Sequence, residues 1–147
     1  MIAIIQRVSK SNVSVDGELV SSINRGINIL LGIVEDDSLE DIEKLVKKIV
    51  KLRIFSDECG KMNLSILDIE GEALVISQFT LAANVKKGNR PSFSQAKKPS
   101  EAKELYLEFI KRLNEFIEVK SGIFGANMSV EIINDGPVTF ILDSNKL

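Results

Sequence analysis

The sequence predicts an α+β domain in which two amphipathic helices pack against a mixed, mainly antiparallel sheet. Three observations carry this expectation. Apolar residues recur at helical spacing in two segments, other segments are apolar or alternating over strand lengths, and the order along the chain is strands, helix, strands, helix, strands. With 147 residues, 44% of them hydrophobic and 27% charged, the chain has the size of one domain, residues 1–147, and can bury a core.

Taken in order, a first strand extends through about Val8. A hairpin follows, in which Val13-Ser14-Val15 and Glu18-Leu19-Val20 flank Asp16-Gly17, a pair that accepts positive φ. The nearly continuous apolar run from Ile27 to Val34 reads as a strand buried on both faces. Ser38 is placed to cap a helix, since Leu39, Ile42, Leu45, Val46, Ile49 and Val50 form an apolar stripe while Glu40, Glu43, Lys44, Lys47 and Lys48 fill the other face. After a turn around Ser56–Gly60, a strand is expected from Ala73 to Leu81. Pro99-Ser100 opens a second helix with Ala102, Leu105, Tyr106, Phe109, Ile110 and Leu113 toward the core. Gly122 and Gly125 mark the return to two strands near Met128–Ile133 and Val138–Leu142.

Composition removes several chemistries. The chain has no histidine, so it offers no Ser-His-Asp or Cys-His triad, no imidazole base and no histidine-bound zinc. Its one cysteine, Cys59, closes no intrachain disulfide and has no CxxC partner, which suits a reducing cytosol; no metal site and no cofactor are expected. No apolar run approaches the ~18 residues needed to span a bilayer, and no basic leader opens the chain, so a cytoplasmic protein without membrane attachment is expected. Gly32 follows an apolar strand, yet no GxGxxG or GxxxxGK[ST] pattern accompanies it.

Two segments draw attention as places for chemistry. Ser77-Gln78-Phe79-Thr80 ends an otherwise apolar strand where the chain passes into a long polar stretch, and polar residues there can line a pocket mouth. Thr80 is a candidate nucleophile, but a threonine hydroxyl needs a base, and Lys86 or Lys87 could serve only if burial lowered its pKa strongly. From Ala82 to Ser100 the chain carries Lys86, Lys87, Arg90, Lys97 and Lys98 and no acid, which suits a phosphate backbone although the net charge is −2. Gly136-Pro137 is a turn signal that Asn134 and Thr139 can fix by side-chain hydrogen bonds, and the sequence leaves its peptide isomer open.

These segments, together with Ile5-Gln6-Arg7-Val8, Arg90-Pro91-Ser92-Phe93 and Gly122-Ile123-Phe124-Gly125-Ala126-Asn127-Met128, occur in an order that resembles the D-aminoacyl-tRNA deacylases of bacteria and eukaryotes over essentially the whole chain. The resemblance implies a mainly antiparallel, barrel-like core with two principal helices. It also implies hydrolysis of the ester between a D-amino acid and the 3′ end of tRNA. Gly136-Pro137 would be a cis peptide, braced by Arg7, that enters the active site of the other subunit of a homodimer and excludes L-amino acids; glycyl-tRNA would then be a second substrate. Ser77, Gln78, Phe79 and Thr80 would form the hydrolytic face, with backbone N–H groups stabilising the oxyanion. Ala96 and Met128 would wall the terminal adenosine, and Lys86, Lys87 and Arg90 would meet the tRNA. Without histidine, the terminal 2′-OH of the substrate is the favoured source of assistance, with attack by Thr80 as the rival. From other classes stand a non-catalytic RNA-binding module and an amidohydrolase acting on free D-amino acid derivatives.

Overall fold

The computed structural model describes residues 1–86 and 88–147. Strands β1 (Ile2–Val15) and β2 (Glu18–Ile23) form the expected hairpin, with Asp16 and Gly17 at φ 51° and 82°. Positive φ at both turn positions matches the twist of the flanking strands, and an Asp-Gly pair supplies it at small cost. β1 does not stop near Val8. It continues because it is paired on both edges: β3 (Gly26–Gly32) and then β2 take one edge, and β8 (Ser129–Asp143) takes the other from Ile2 to Ser14.

Helix α1 (Leu39–Lys51) starts at Ser38, whose backbone N–H and hydroxyl both donate to the Asp41 carboxylate, at 2.9 and 3.1 Å. Its buried stripe is Ile42, Leu45, Val46, Ile49 and Val50, each side chain contributing about 1.5–3 kcal/mol of gross burial. Leu39 was expected in that stripe and is instead 53% exposed. Helical spacing places a first-turn residue on the apolar side, but only the neighbouring elements decide whether anything covers it.

The chain continues through a ribbon of β4 (Phe55–Ser56) and β5 (Met62–Leu64) into β6 (Glu72–Ser77), then helix α2 (Pro99–Asn114) and β7 (Val119–Ser121). The main sheet runs β2-β1-β3-β6-β7, with β8 added on β1. It is mixed: β1 is antiparallel to its three partners, whereas β3–β6 and β6–β7 are parallel. The connections from β3 to β6 and from β6 to β7 pass through α1 and α2. Such crossovers return the chain in its original direction, which a hairpin cannot do. The ends of the path meet, since Ser21 Oγ donates to the Ser121 carbonyl at 2.7 Å and Lys120 Nζ to that of Ser22 at 3.0 Å, so the sheet is a nearly closed barrel.

The strand expected over Ala73–Leu81 ends at Ser77, and Phe79–Ala82 forms a 3-10 turn. Its parallel partner β3 stops at Gly32, and after Gln78 donates to the Leu31 carbonyl no ladder remains to hold an extended chain. The turn folds Leu81 onto Gly32, where a Cβ would lie 2.7 Å from that of Leu81. Likewise, the two strands expected at the C-terminus are one, β8, from which Gly136 and Pro137 are pushed out without pairing to β1.

One apolar cluster packs both helices on the outer face of the barrel, through Ile5, Ile29, Leu31, Val75, Leu45, Ile49, Tyr106 and Phe109 among others. A smaller one fills the interior with Val8, Val13, Ile23, Leu74 and Ile76. Alternation along β6 sends Ala73 and Val75 to the first and Leu74 and Ile76 to the second, so the apolar run is buried on both faces. No helix among the described residues is long and apolar enough to cross a membrane.

Tyr106, the single tyrosine, joins the layers: it is 1% exposed and its hydroxyl donates to the Val75 carbonyl at 2.8 Å. Burial pushes its phenol up from 10.0 to about 12. Because the folded value lies above the unfolded one, the stabilisation is complete below about pH 10 and is lost as pH rises toward 12. Tyrosinate absorbance should therefore titrate near 12 in the folded protein and near 10 in urea. Tyr106→Phe should remove the step and lower the unfolding free energy by about 1–2 kcal/mol.

Candidate active site

Where β3 and β6 end, the sheet no longer covers the space beneath the start of α2, and a cavity of about 750 Å³ opens. Leu31, Ile33 and Ile76 form its floor and Ser77, Gln78 and Phe79 its lip. Phe93, Ala96, Lys97, Lys98 and Ala102 make one wall, and Phe124 through Met128 the other. Of the site residues named from the sequence, the fold thus assembles Ser77, Gln78, Phe79, Ala96 and Met128 around one space. Residues 95–97 are secured there by backbone bonds, Glu35 N–H to the Gln95 carbonyl at 2.9 Å and Lys97 N–H to that of Ile33 at 3.2 Å. Tyr106 backs the opposite wall, its ring 5.5 Å from that of Phe124.

Thr80 does not line the cavity. It sits in the 3-10 turn, exposed, and its Oγ accepts from Gln78 Nε2 at 2.5 Å. The N–H groups of Phe79 and Thr80 open that turn, and among the described residues neither donates to a protein acceptor. Lys86 and Arg90 are exposed outside the cavity, and Lys87 lies outside the described residues.

Gly136-Pro137 stands elsewhere. The peptide is cis, both residues are exposed, and neither lines the cavity of its own chain. Gly136 has φ 142°, and a Cβ there would lie 2.6 Å from Val138 Cγ2, so the position requires glycine. Two side chains hold the neck of this extrusion. Asn134 Oδ1 accepts from the Val138 N–H at 2.8 Å, while its Nδ2 donates to the Val138 carbonyl and to Thr139 Oγ1, at 3.3 and 3.1 Å. Arg7, 9% exposed, donates from Nε to the Asp135 carbonyl at 2.9 Å, lies 3.2 Å from the Asp135 carboxylate, and donates from Nη1 to the Ile54 carbonyl at 2.7 Å. A planar, forked donor is what such a three-way contact needs.

Among the described residues the cavity lining holds no carboxylate and no thiol, and its ionisable groups are the amines of Lys97 and Lys98. Lys97 is turned back on the fold, with Nζ donating to the Glu35 carbonyl at 2.5 Å. Among the described residues no three histidine, cysteine, aspartate or glutamate side chains gather to hold a metal ion. Such a site can enclose an apolar group, orient a polar one at the lip and offer N–H donors to an oxyanion. Among the described residues its lining places no imidazole, carboxylate or thiolate to act as a general base.

A family model described as D-Tyr-tRNA(Tyr) deacylase matches residues 4–143. The chain belongs to this family. A D-aminoacyl-tRNA deacylase of Persephonella marina is 65% identical over 147 residues, the whole of both chains, and one of Aquifex aeolicus is 59% identical over 148, again the whole of both. Among solved structures, a c-Myc DNA Unwinding Element Binding Protein aligns with a TM-score of 0.93 at 44% identity, covering 97% of this chain and 98% of that one. A probable eukaryotic D-amino acid tRNA deacylase aligns at 0.84 and 17% identity over 96% and 97%, which supports the fold alone.

Several lining residues of this deacylase-family chain escaped single-residue reading. Phe124 and Asn127 were visible only within a motif, and Phe93 only as part of Arg90-Pro91-Ser92-Phe93. Lys97 and Lys98 were visible only as charge. An aromatic residue inside an otherwise polar, basic stretch was the available signal for Phe93. The Arg7 contact gives a direct test: Arg7→Lys keeps the charge but cannot reach the Asp135 and Ile54 carbonyls together. Urea unfolding should show a loss of about 1.5–3 kcal/mol.

Proposed function

We propose that this chain hydrolyses the ester between a D-amino acid and the 3′ end of tRNA, accepts glycyl-tRNA, and refuses L-aminoacyl-tRNA through Gly136-Pro137. The observation that carries the reading is the cavity: a mostly apolar chamber with Ser77 and Gln78 at its lip, in a chain of the deacylase family. The terminal adenosine occupies the space between Phe79, Ala96 and Met128, and the ester lies at the lip, where the N–H groups of Phe79 and Thr80 stabilise the developing oxyanion. Lys86, Lys87 and Arg90 attract the tRNA backbone.

The gate acts in trans. Gly136-Pro137 is exposed and does not reach the cavity of its own chain, which supports a homodimer in which each dipeptide enters the partner's cavity. Its backbone carbonyls crowd the α-carbon on the side where an L residue carries its side chain. This excludes the L form without recognising any particular side chain, so D-residues of many kinds and glycine pass. The same reading places the enzyme in the cytoplasm, with its substrate.

Proton chemistry comes from the substrate. The Thr80 hydroxyl is exposed, lies outside the cavity lining and already accepts from Gln78 Nε2. The vicinal 2′-OH of the terminal ribose sits beside its own ester, where it can orient water or take part in proton transfer at high effective concentration. A second reading, nucleic-acid binding without hydrolysis, draws on the similarity to the c-Myc DNA Unwinding Element Binding Protein.

Deacylation of D-tyrosyl-tRNA, L-tyrosyl-tRNA and glycyl-tRNA separates these readings. The D and glycyl esters should be cleaved and the L ester spared; equal rates on D and L esters would remove the gate, and no cleavage at all would leave binding alone. Thr80→Ala should retain near-normal turnover, whereas a 2′-deoxy terminal adenosine should lower kcat/KM on the order of 10²-fold. The opposite pattern, with a trappable acyl-enzyme, would make Thr80 the nucleophile.

A further inference from the structure

At the cavity mouth the rings of Phe79 and Phe93 lie 5.0 Å apart, tilted by 59°, and remain 60% and 40% exposed. Among the described residues this is the one aromatic pair on the surface; the other pair includes the buried Tyr106. Phe93 is not carried on a loose segment. Asn84 and Ser92 exchange backbone bonds at 2.7 and 3.0 Å immediately before it, and the Ala96 N–H donates to the Phe93 carbonyl at 3.0 Å. Backbone bonds thus position Phe93 beside Phe79 with both rings open to solvent, where a partner can use them.

The surroundings indicate the partner. Lys98 lines the same wall, and Lys86 and Arg90 lie on the loop between Asn84 and Ser92. Among the described residues none of the three has a carboxylate within 4.0 Å, and no acid occurs from residue 82 to 100. Exposed rings beside unneutralised cations suit single-stranded nucleic acid, whose bases offer π-faces and whose phosphates offer charge. Duplex bases are already stacked on each other, so such a surface favours unpaired nucleotides.

We propose that the Phe79–Phe93 pair, flanked by Lys98, Lys86 and Arg90, is a stacking platform for the unpaired nucleotide that precedes the aminoacylated terminal nucleoside. Phe93 supplies the outer face and Lys98 meets the adjoining phosphate. The inference rests on the function proposed above, because it assumes that the terminal nucleoside fills the cavity. It adds that recognition continues onto the preceding base, through stacking that is indifferent to the base's identity.

The test compares Phe93→Leu, which keeps an apolar side chain but loses the ring face, with Phe93→Tyr, which keeps the face. The probe is a fluorescein-labelled RNA tetranucleotide carrying the tRNA 3′-terminal sequence, followed by anisotropy. Phe93→Leu should weaken binding about tenfold, Phe93→Tyr should stay within about twofold, and pairing the tail with a complementary strand should abolish binding. In hydrolysis, Phe93→Leu should raise KM for D-aminoacyl-tRNA by a similar factor, and by several-fold less for D-aminoacyl-adenosine, which has no preceding nucleotide. Equal losses for Phe93→Leu and Phe93→Tyr, no loss for Phe93→Leu, binding of the paired tail, or equal penalties on both esters would each overturn the platform. If the unaltered protein cleaved neither ester, the proposed function would fall, and the tetranucleotide binding would still decide the platform.

Discussion

Pairing on both edges of β1 is the constraint on which the rest of the molecule depends. Along one edge β1 carries first β3 and then β2, and along the other it carries β8 for almost its full length. Because β3 is fixed to β1, β6 and β7 can be added in parallel beyond it, and the ends of β3 and β6 then set where the sheet stops and the cavity begins. Because β8 is fixed on both sides of its extrusion, Gly136-Pro137 projects from a ladder and not from a flexible loop. Arg7 belongs to the same strand, so the side chain that holds Asp135 is itself held by the sheet.

The two halves of the proposed activity occupy different parts of the molecule. The cavity offers enclosure, an apolar wall and polar groups at a lip, while the extruded dipeptide offers rigid backbone carbonyls and no side-chain chemistry. A site without a strong base is a poor hydrolase for an arbitrary ester. It suits a substrate that carries a hydroxyl beside the bond to be cut, because positioning then contributes most of what the reaction needs. Selection by exclusion fits such a site: in the proposed function the cavity would recognise what all charged tRNAs share, and the gate would test only the α-carbon.

Several elements were legible because their signals are local. Asp16-Gly17 specified its turn through the φ values it tolerates, and Ser38 with Asp41 specified the start of α1 through contacts three residues apart. Other features depend on partners distant in sequence. The strand expected through Leu81 ended at Ser77 because β3 ended, and Leu39 stayed in water because no neighbour covers it. Phe79 and Phe93 meet only after the turn at Phe79–Ala82 and the Asn84–Ser92 bridge bring them together.

By itself the sequence determined the α+β class, the two helices, the first hairpin and the absence of imidazole chemistry, since each follows from residue type and short-range spacing. Through its ordered motifs it also pointed to the deacylase family. Only the tertiary structure decided which strands pair in parallel, that Ser77, Gln78, Phe79, Ala96 and Met128 line one cavity, and that Thr80 stands outside it. It also decided that Gly136-Pro137 is an extrusion within one strand and not part of the lining of its own cavity. The reason is physical: strand ends, pairing direction and cavity walls are set by contacts between segments tens of residues apart, and no local pattern encodes which of those contacts the folded chain will satisfy.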